Sequence, residues 1–249
     1  MKVTLAVQRY NPETDAQPYE QHFEVTVEPT DRVLDALMEV YRNQDGSLSF
    51  RKSCAHGVCG SDAMLINANE KLACKTLVQD VTENDGDVIT LAPLRHMPVQ
   101  RDLMVDQSEF FTKFRSAKPF LIAESGPSER EFIQSPEERR LFDDATKCIN
   151  CSACYSACPV LDKNPEFLGP AAIVAAARFV FDSRDKGVEA RLDMLDTPNG
   201  VWPCENHFEC TRVCPRDIKI TKLINLTKRE IKRYREARGQ STAEPQDGN

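Results

Sequence analysis

The run Cys148-Ile-Asn-Cys151-Ser-Ala-Cys154-Tyr-Ser-Ala-Cys158-Pro159 constrains this chain more than any other stretch. Its spacing, C-x2-C-x2-C-x3-C-P, is a ligand pattern for iron–sulfur clusters in which the fourth cysteine serves a different cluster from the first three. Three thiolates on one tight loop can hold three corners of a cube, and the fourth corner must come from elsewhere. A degenerate second copy follows, Cys204-Glu-Asn-His207-Phe-Glu-Cys210-Thr-Arg-Val-Cys214-Pro215, with histidine in the second cysteine slot.

A crossed arrangement follows from these two runs. Cys148, Cys151 and Cys154, completed by Cys214, make four thiolates for a 4Fe–4S cluster. Cys204 and Cys210, completed by Cys158, make three thiolates, which suit a 3Fe–4S cluster. The alternative at this site makes His207 a fourth ligand, since imidazole binds cluster iron in Rieske centres. Zinc is a poorer match because it takes four N/S ligands in paired knuckles. Disulfides need an oxidising compartment, and the amino-terminal residues resemble neither an export signal nor a transit segment.

A third group precedes these runs: Ser53-Cys54-Ala-His-Gly-Val-Cys59-Gly60-Ser61-Asp62, then Cys74. The plant-type 2Fe–2S pattern is C-x4-C-x2-C with a distant fourth cysteine. Here Asp62 stands in the third place. The expected 2Fe–2S ligands are therefore Cys54, Cys59, Asp62 and Cys74, because a carboxylate oxygen binds ferric iron well. The other reading makes Asp62 an ordinary turn residue. Gly57 and Gly60 let the backbone approach a cluster and point N–H groups at its sulfurs. His56 reads as a loop residue, since a Rieske site needs two histidines.

The surrounding pattern gives an α+β fold. Residues 3–9 and 22–28 read as a strand hairpin. Asp31 is expected to cap a helix whose apolar face holds Val33, Leu34, Leu37, Val40 and Tyr41. With strands over 62–68 and 86–91, this is a β-grasp domain of plant-type ferredoxin kind, over residues 1–104. From 105 to 239 the pattern is helical, of bacterial dicluster ferredoxin type. Ser135-Pro136-Glu137-Glu138 is a capping box with proline at the first helical position. Gly169-Pro170 starts another helix, and Ile220, Leu223, Ile224, Thr227, Ile231 and Tyr234 face one side of the last. Residues 240–249 are polar and expected to be disordered.

Net charge is −7, but residues 212–238 hold ten Lys/Arg against three Asp/Glu. That segment lacks the aromatic interleaving of a nucleic-acid surface, so no nucleic-acid partner is expected. It reads either as a face toward anionic lipid headgroups or as a solvated helix face. The longest apolar stretch, from Pro170, reaches Arg178 well short of a membrane span. Nor is there a G-x-G-x-x-G dinucleotide fingerprint. Three different clusters form a one-electron wire, so a flavin and a membrane quinone pocket are expected on partner subunits.

The Cys54–Cys74 loop, both cysteine runs, Arg101-Asp-Leu, Asn164-Pro-Glu-Phe-Leu-Gly-Pro170, Asp182-Ser-Arg-Asp185 and Val213-Cys-Pro215 resemble the iron–sulfur subunit of succinate dehydrogenase and fumarate reductase. The resemblance spans about residues 2–235. It implies electron flow from a covalently bound FAD on a flavoprotein partner, through the three clusters, to a quinone held with membrane-anchor subunits. It also places the chain peripherally on the cytoplasmic face of a bacterial plasma membrane. Asp62 fits as a ligand, since some members of that family have Cys and others Asp in this place. Ubiquinone-linked members resemble one another in a tryptophan pair where Asp162 and Lys163 stand, and in a histidine where Glu205 stands. Lys228 matches a quinone-contacting lysine of fumarate reductases, with Asn225 one turn before it. The resemblance thus implies a quinone-proximal set of Lys163, Glu205, His207, Asn225 and Lys228, with menaquinone favoured over ubiquinone. The iron–sulfur wires of glycolate oxidase or heterodisulfide reductase fit less well, because they lack the Cys54–Cys74 site. A zinc interaction module is the reading from another functional class.

Overall fold

The structure is a computed structural model that describes residues 1–123 and 131–244. It divides into two units. The first comprises Met1–Glu109 together with Ile149–Ala157, and the second Phe110–Cys148 together with Cys158–Asn249. The sequence reading assigned the first cysteine run wholly to the helical part; most of it instead packs with the sheet.

In the first unit, strand β1 (Lys2–Arg9) pairs antiparallel with β2 (Tyr19–Thr26) and parallel with β5 (Val88–Ala92). Strand β3 (Ala63–Ile66) pairs antiparallel with both β4 (Asn69–Leu72) and β5, so the sheet order is β2-β1-β5-β3-β4. Leu5 sits opposite Phe23 on one side and Ile89 on the other, and all three are buried. Helix α1 (Val33–Asn43) buries Val33, Leu34, Leu37 and Val40. Burying each such side chain stabilises by roughly 1.5–3 kcal/mol. This is the mixed β-grasp sheet expected.

Asp31 does not cap α1: its carboxylate accepts from Glu28 N–H at 2.8 Å. Arg32 stands at the N-cap, and Asp35 accepts the Arg32 N–H at 3.0 Å. The capping carboxylate is Asp35, in the first turn, where an acid also suits the helix dipole.

After β5, strands β6 (Val99–Arg101) and β7 (Met104–Val105) form a small ribbon around Asp102. The Asp102 carboxylate is buried and accepts from Arg9 Nε (3.0 Å), Tyr10 N (3.0 Å) and Ser49 N (2.8 Å). Arg9 reaches on to Asp45 and Ser47. The ribbon is thereby tied to the sheet by a satisfied buried ion pair.

Helix α2 (Ser108–Ser116) runs across the division between the units. In the second unit α3 (Pro136–Arg140) starts at the Ser135 capping box, with Glu138 N donating to Ser135 Oγ and Ser135 N to the Glu138 carboxylate. Two one-turn helices, α4 (Ala153–Ser156, in the first unit) and α5 (Val160–Lys163), follow Cys151 and Cys158. Helix α6 (Pro170–Val180) is buried over most of its length and packs against α7 (Val188–Leu195) and α9 (Ile220–Ala237). The one-turn α8 (Glu209–Arg212) precedes α9. Arg191 on α7 is fully buried, paired with Asp185 and donating to the carbonyls of Ala117, Lys118 and Phe120. Among the described residues no helix is long and apolar enough to cross a membrane. Residues 240–244 lack regular structure, and Arg235 donates to the carbonyls of Ser241 and Ala243; the rest of the expected tail lies outside the described residues.

Candidate metal centres

The loop joining α1 to β3 folds around sulfur. Cys54 Sγ accepts from the backbone N–H of His56 (3.3 Å), Val58 (3.4 Å) and Cys59 (3.3 Å). Gly57 N–H donates to Cys74 Sγ at 3.2 Å, and Ser61 Oγ lies 3.2 Å from Cys59 Sγ. Positive φ at Ala55 (56°), Gly57 (70°) and Gly60 (71°) turns these N–H groups inward. The hydrogen bonds from His56, Val58 and Cys59 pull the Cys54 thiol down to about 7. Burial, with Asp62 beside it, pushes Cys74 up to about 12. The exposed His56 turns its ring to the Cys54 carbonyl.

Asp62 is 2% exposed, and its Oδ2 accepts the Cys74 N–H at 2.6 Å. Its Oδ1 is buried with no hydrogen-bond partner among the described residues. An unsatisfied buried acceptor costs about 1–3 kcal/mol, more when charged. A buried carboxylate oxygen left bare on a residue next to Cys74 is what a cluster iron would satisfy, so these residues fit a 2Fe–2S group. Among the described residues no three or more Cys, His, Asp or Glu converge as they would on a single metal ion. A cluster spreads its ligands over several irons and does not need such convergence.

Within the first unit this loop abuts the first cysteine run. A Cβ added to Gly60 would come within 2.6 Å of Cys151 Cβ and 3.1 Å of Ile149 O. Buried Glu70 accepts from Ser156 Oγ (2.9 Å) and Arg95 (2.8 Å), and the Arg95 N–H returns to Ser156 Oγ (2.9 Å). Helix α4 is thus bolted to β4. Cys151 and Cys154 lie in this unit, whereas Cys148 and Cys214 lie in the second.

The two runs share backbone geometry as well as spacing. Asn150 and Ser152 have φ of 54° and 63°, and the matching Asn206 and Phe208 have 59° and 65°. Each pair leads into a one-turn helix, α4 or α8. Left-handed backbone at a bulky Phe is rare, so its recurrence in the register of Ser152 marks a built loop. His207 therefore occupies the slot of Cys151, and its ring nitrogen pairs with Glu205 at 2.9 Å in an exposed position.

In the second unit Cys158, Cys204 and Cys210 open on one pocket with Phe167, Thr221 and Ile224. Burial pushes Cys158 up to about 11, against the pull of the Val160 and Leu161 N–H groups, and raises Cys210 as well. Burial of Cys158 and Cys210 disfavours their thiolates, which a positive centre such as cluster iron would offset. Asn225 Nδ2 donates to Asn206 Oδ1 (3.0 Å), and Lys228 Nζ donates to the carbonyls of Cys204 (2.9 Å) and Trp202 (3.4 Å). Four of the five residues of the expected quinone-proximal set therefore lie on or against the Cys204 loop, and Lys163 is exposed at the end of α5. Sequence reasoning did not single out Trp202, although it is the chain's one tryptophan and stands two residues before Cys204. Glu70 and Ser156 were missed too, since no motif marks a buried carboxylate–hydroxyl pair.

Comparison with known proteins agrees with this architecture. Residues 4–112 match a family described as a 2Fe-2S iron-sulfur cluster binding domain, and residues 144–218 a 4Fe-4S dicluster domain. The fumarate reductase iron-sulfur subunit of Mycobacterium tuberculosis is 42% identical over 87% of this chain and 87% of its own. The succinate dehydrogenase iron-sulfur subunit of Coxiella burnetii is 38% identical over 92% of this chain and 97% of its own. A chain of the Mycobacterium smegmatis Sdh1 complex in the apo form superposes with a TM-score of 0.85 at 28% identity, covering 94% of this chain and 97% of that one. With its 2Fe–2S and 4Fe–4S dicluster domains in this order, the chain belongs to the family of succinate dehydrogenase and fumarate reductase iron–sulfur subunits.

Proposed function

We propose that this chain is the electron wire between a FAD-bearing flavoprotein partner, where succinate is oxidised to fumarate, and a membrane quinone of the menaquinone type. Cys54, Cys59, Asp62 and Cys74 hold the 2Fe–2S group. By their spacing, Cys148, Cys151, Cys154 and Cys214 hold the 4Fe–4S group, and Cys158, Cys204 and Cys210 the 3Fe–4S group. When bound, these clusters supply one-electron carriers between a two-electron donor and the quinone. The same ligand sets would serve fumarate reduction with the flow reversed.

The observation that carries this reading is a pocket lined by three thiols with no fourth among the described residues, in which His207, also part of the lining, has its ring nitrogen paired with Glu205. The chain's own groups prepare each site. Inward N–H groups stabilise charge on Cys54 and Cys74 sulfur, and apolar walls exclude water from Cys158 and Cys210. The close approach of Gly60 to Cys151 supports a short path from the first ligand loop to the second. Membrane-anchor subunits hold the chain peripherally on the cytoplasmic face of a bacterial plasma membrane, and the quinone lies on the side of Cys204.

Lys228 supports the menaquinone reading. Two of its three ammonium protons are taken by carbonyls, which leaves one donor for a quinone oxygen. Asp162 and Lys163 stand where a ubiquinone site is expected to carry tryptophan. Exchange of Lys228 for Ala is expected to slow quinone turnover at least tenfold while electron transfer to a dye acceptor continues. Equal loss of both activities would contradict the quinone role.

A further inference from the structure

Trp202 is 7% exposed and donates its indole N–H to Asp196 at 2.9 Å. Three cations of α9 surround its ring: Lys228 at 5.7 Å, Lys232 at 5.5 Å and Arg235 at 5.4 Å from the centroid. Spaced i, i+4 and i+7, they lie on one helical face, within the range of cation–π attraction. Arg235 also pairs with Asp196. A face that reads in sequence as solvated or lipid-directed charge is thus partly turned inward, onto one aromatic ring.

The arm that bears Cys204 has no regular structure of its own. It leaves a tight turn in which a Cβ on Gly200 would lie 1.9 Å from Leu195 O, and Val201 N–H closes back on that same carbonyl at 3.0 Å. Beyond this turn the arm is held by the Trp202 ring and by Lys228, whose ammonium donates to the Cys204 carbonyl. A lysine on a flexible four-carbon stem holds one position only if something braces it. The indole face and the two carbonyls do so here, which fixes a positive charge on the backbone carbonyl of a cysteine of the three-cysteine site.

We infer that Trp202 is a positioning residue: it braces Lys228 against the Cys204 carbonyl and thereby raises the reduction potential of the cluster that Cys204 holds. This rests on the 3Fe–4S reading above. Net charge and hydrogen bonding around a cluster set its potential, so a fixed cation favours the reduced form.

The test is redox titration of the 3Fe–4S EPR signal in complex purified from membranes. Trp202→Leu and Lys228→Gln should each shift the midpoint downward. The double variant should shift no further than Lys228→Gln alone, because interacting residues are non-additive. Trp202→Phe keeps an aromatic face and should stay near wild type. Additive shifts, or a Trp202→Leu midpoint equal to wild type, would overturn the inference. If Trp202→Leu does not assemble, fluorotryptophan incorporation tests the ring without altering its shape. The midpoint should fall with fluorination in the wild type and stay constant in Trp202→Phe; a flat response in both overturns the proposal. Absence of any 3Fe–4S signal in the wild type would instead remove the cluster assignment, and this inference with it.

Discussion

Asp62 and Asp182 are both buried carboxylates, and the difference in their partners assigns them different work. One oxygen of Asp62 has a backbone donor and the other has no hydrogen-bond partner among the described residues. Asp62→Leu is therefore expected to cost the protein its 2Fe–2S EPR signal and about two irons per chain. Asp62→Cys should retain both; equal loss in the two variants would make Asp62 a turn residue. Asp182 is fully paired, accepting from Gln134 (2.9 Å), Arg178 (3.2 Å) and Arg184 (2.8 Å). Burial alone would raise its pKa, but the Arg184 and Arg178 hydrogen bonds hold it far below the ordinary carboxylate range. A depressed folded pKa stabilises fully above the unfolded value near 4 and is lost as pH falls through the folded one. Asp182→Asn should thus cost about 1–3 kcal/mol, equally at pH 6 and pH 8, with a smaller cost below pH 4. Thermal or denaturant unfolding measures it; a cost that changed between pH 6 and pH 8 would contradict the assignment.

At the scale of elements, the ligand loops are positioned by features that carry no metal. Gly60 is needed twice over, for a φ of 71° and for its closeness to Cys151. Gly60→Ala is expected to lower 2Fe–2S and 4Fe–4S content together, by half or more. Gly86→Ala, also at positive φ (90°) but with no atom within 4 Å of the added Cβ, should carry only the backbone strain of about 1–2 kcal/mol and keep both clusters. EPR spin quantitation separates these outcomes. The elements legible in sequence were those with local causes. Ser135-Pro136 starts α3 where the capping box said, and Pro170 opens α6. On α9 the periodicity found Ile220, Leu223, Ile224, Thr227 and Ile231, but Arg235 is buried where Tyr234 was expected, because Asp196 and the Trp202 ring receive it. Asp31 lost the α1 cap to Asp35, four residues on, a choice decided by geometry that spacing does not encode.

For the whole molecule, cysteine spacing says how many thiolates each loop can offer, since cluster shape limits that number. Sequence cannot say which loop packs with which sheet. Ile149–Ala157 joins the first unit through Glu70, Ser156 and Arg95, a long-range arrangement with no local signature. The same limit hid the Trp202 brace, whose members are spread from Asp196 to Arg235. The repeat of left-handed backbone at Asn150 and Ser152, then at Asn206 and Phe208, shows that the second run keeps the shape of the first after losing one cysteine. On the proposed reading, that difference separates a three-iron from a four-iron site. Low-temperature EPR of the anaerobically purified complex, with iron and acid-labile sulfide counted, tests this most directly. The account predicts a 3Fe–4S signal in the oxidised sample, two further signals on stepwise reduction and about nine irons per chain by cluster stoichiometry. An EPR-silent oxidised sample with about ten irons would mean that His207 completes a second four-iron cluster, and would contradict the three-thiolate site.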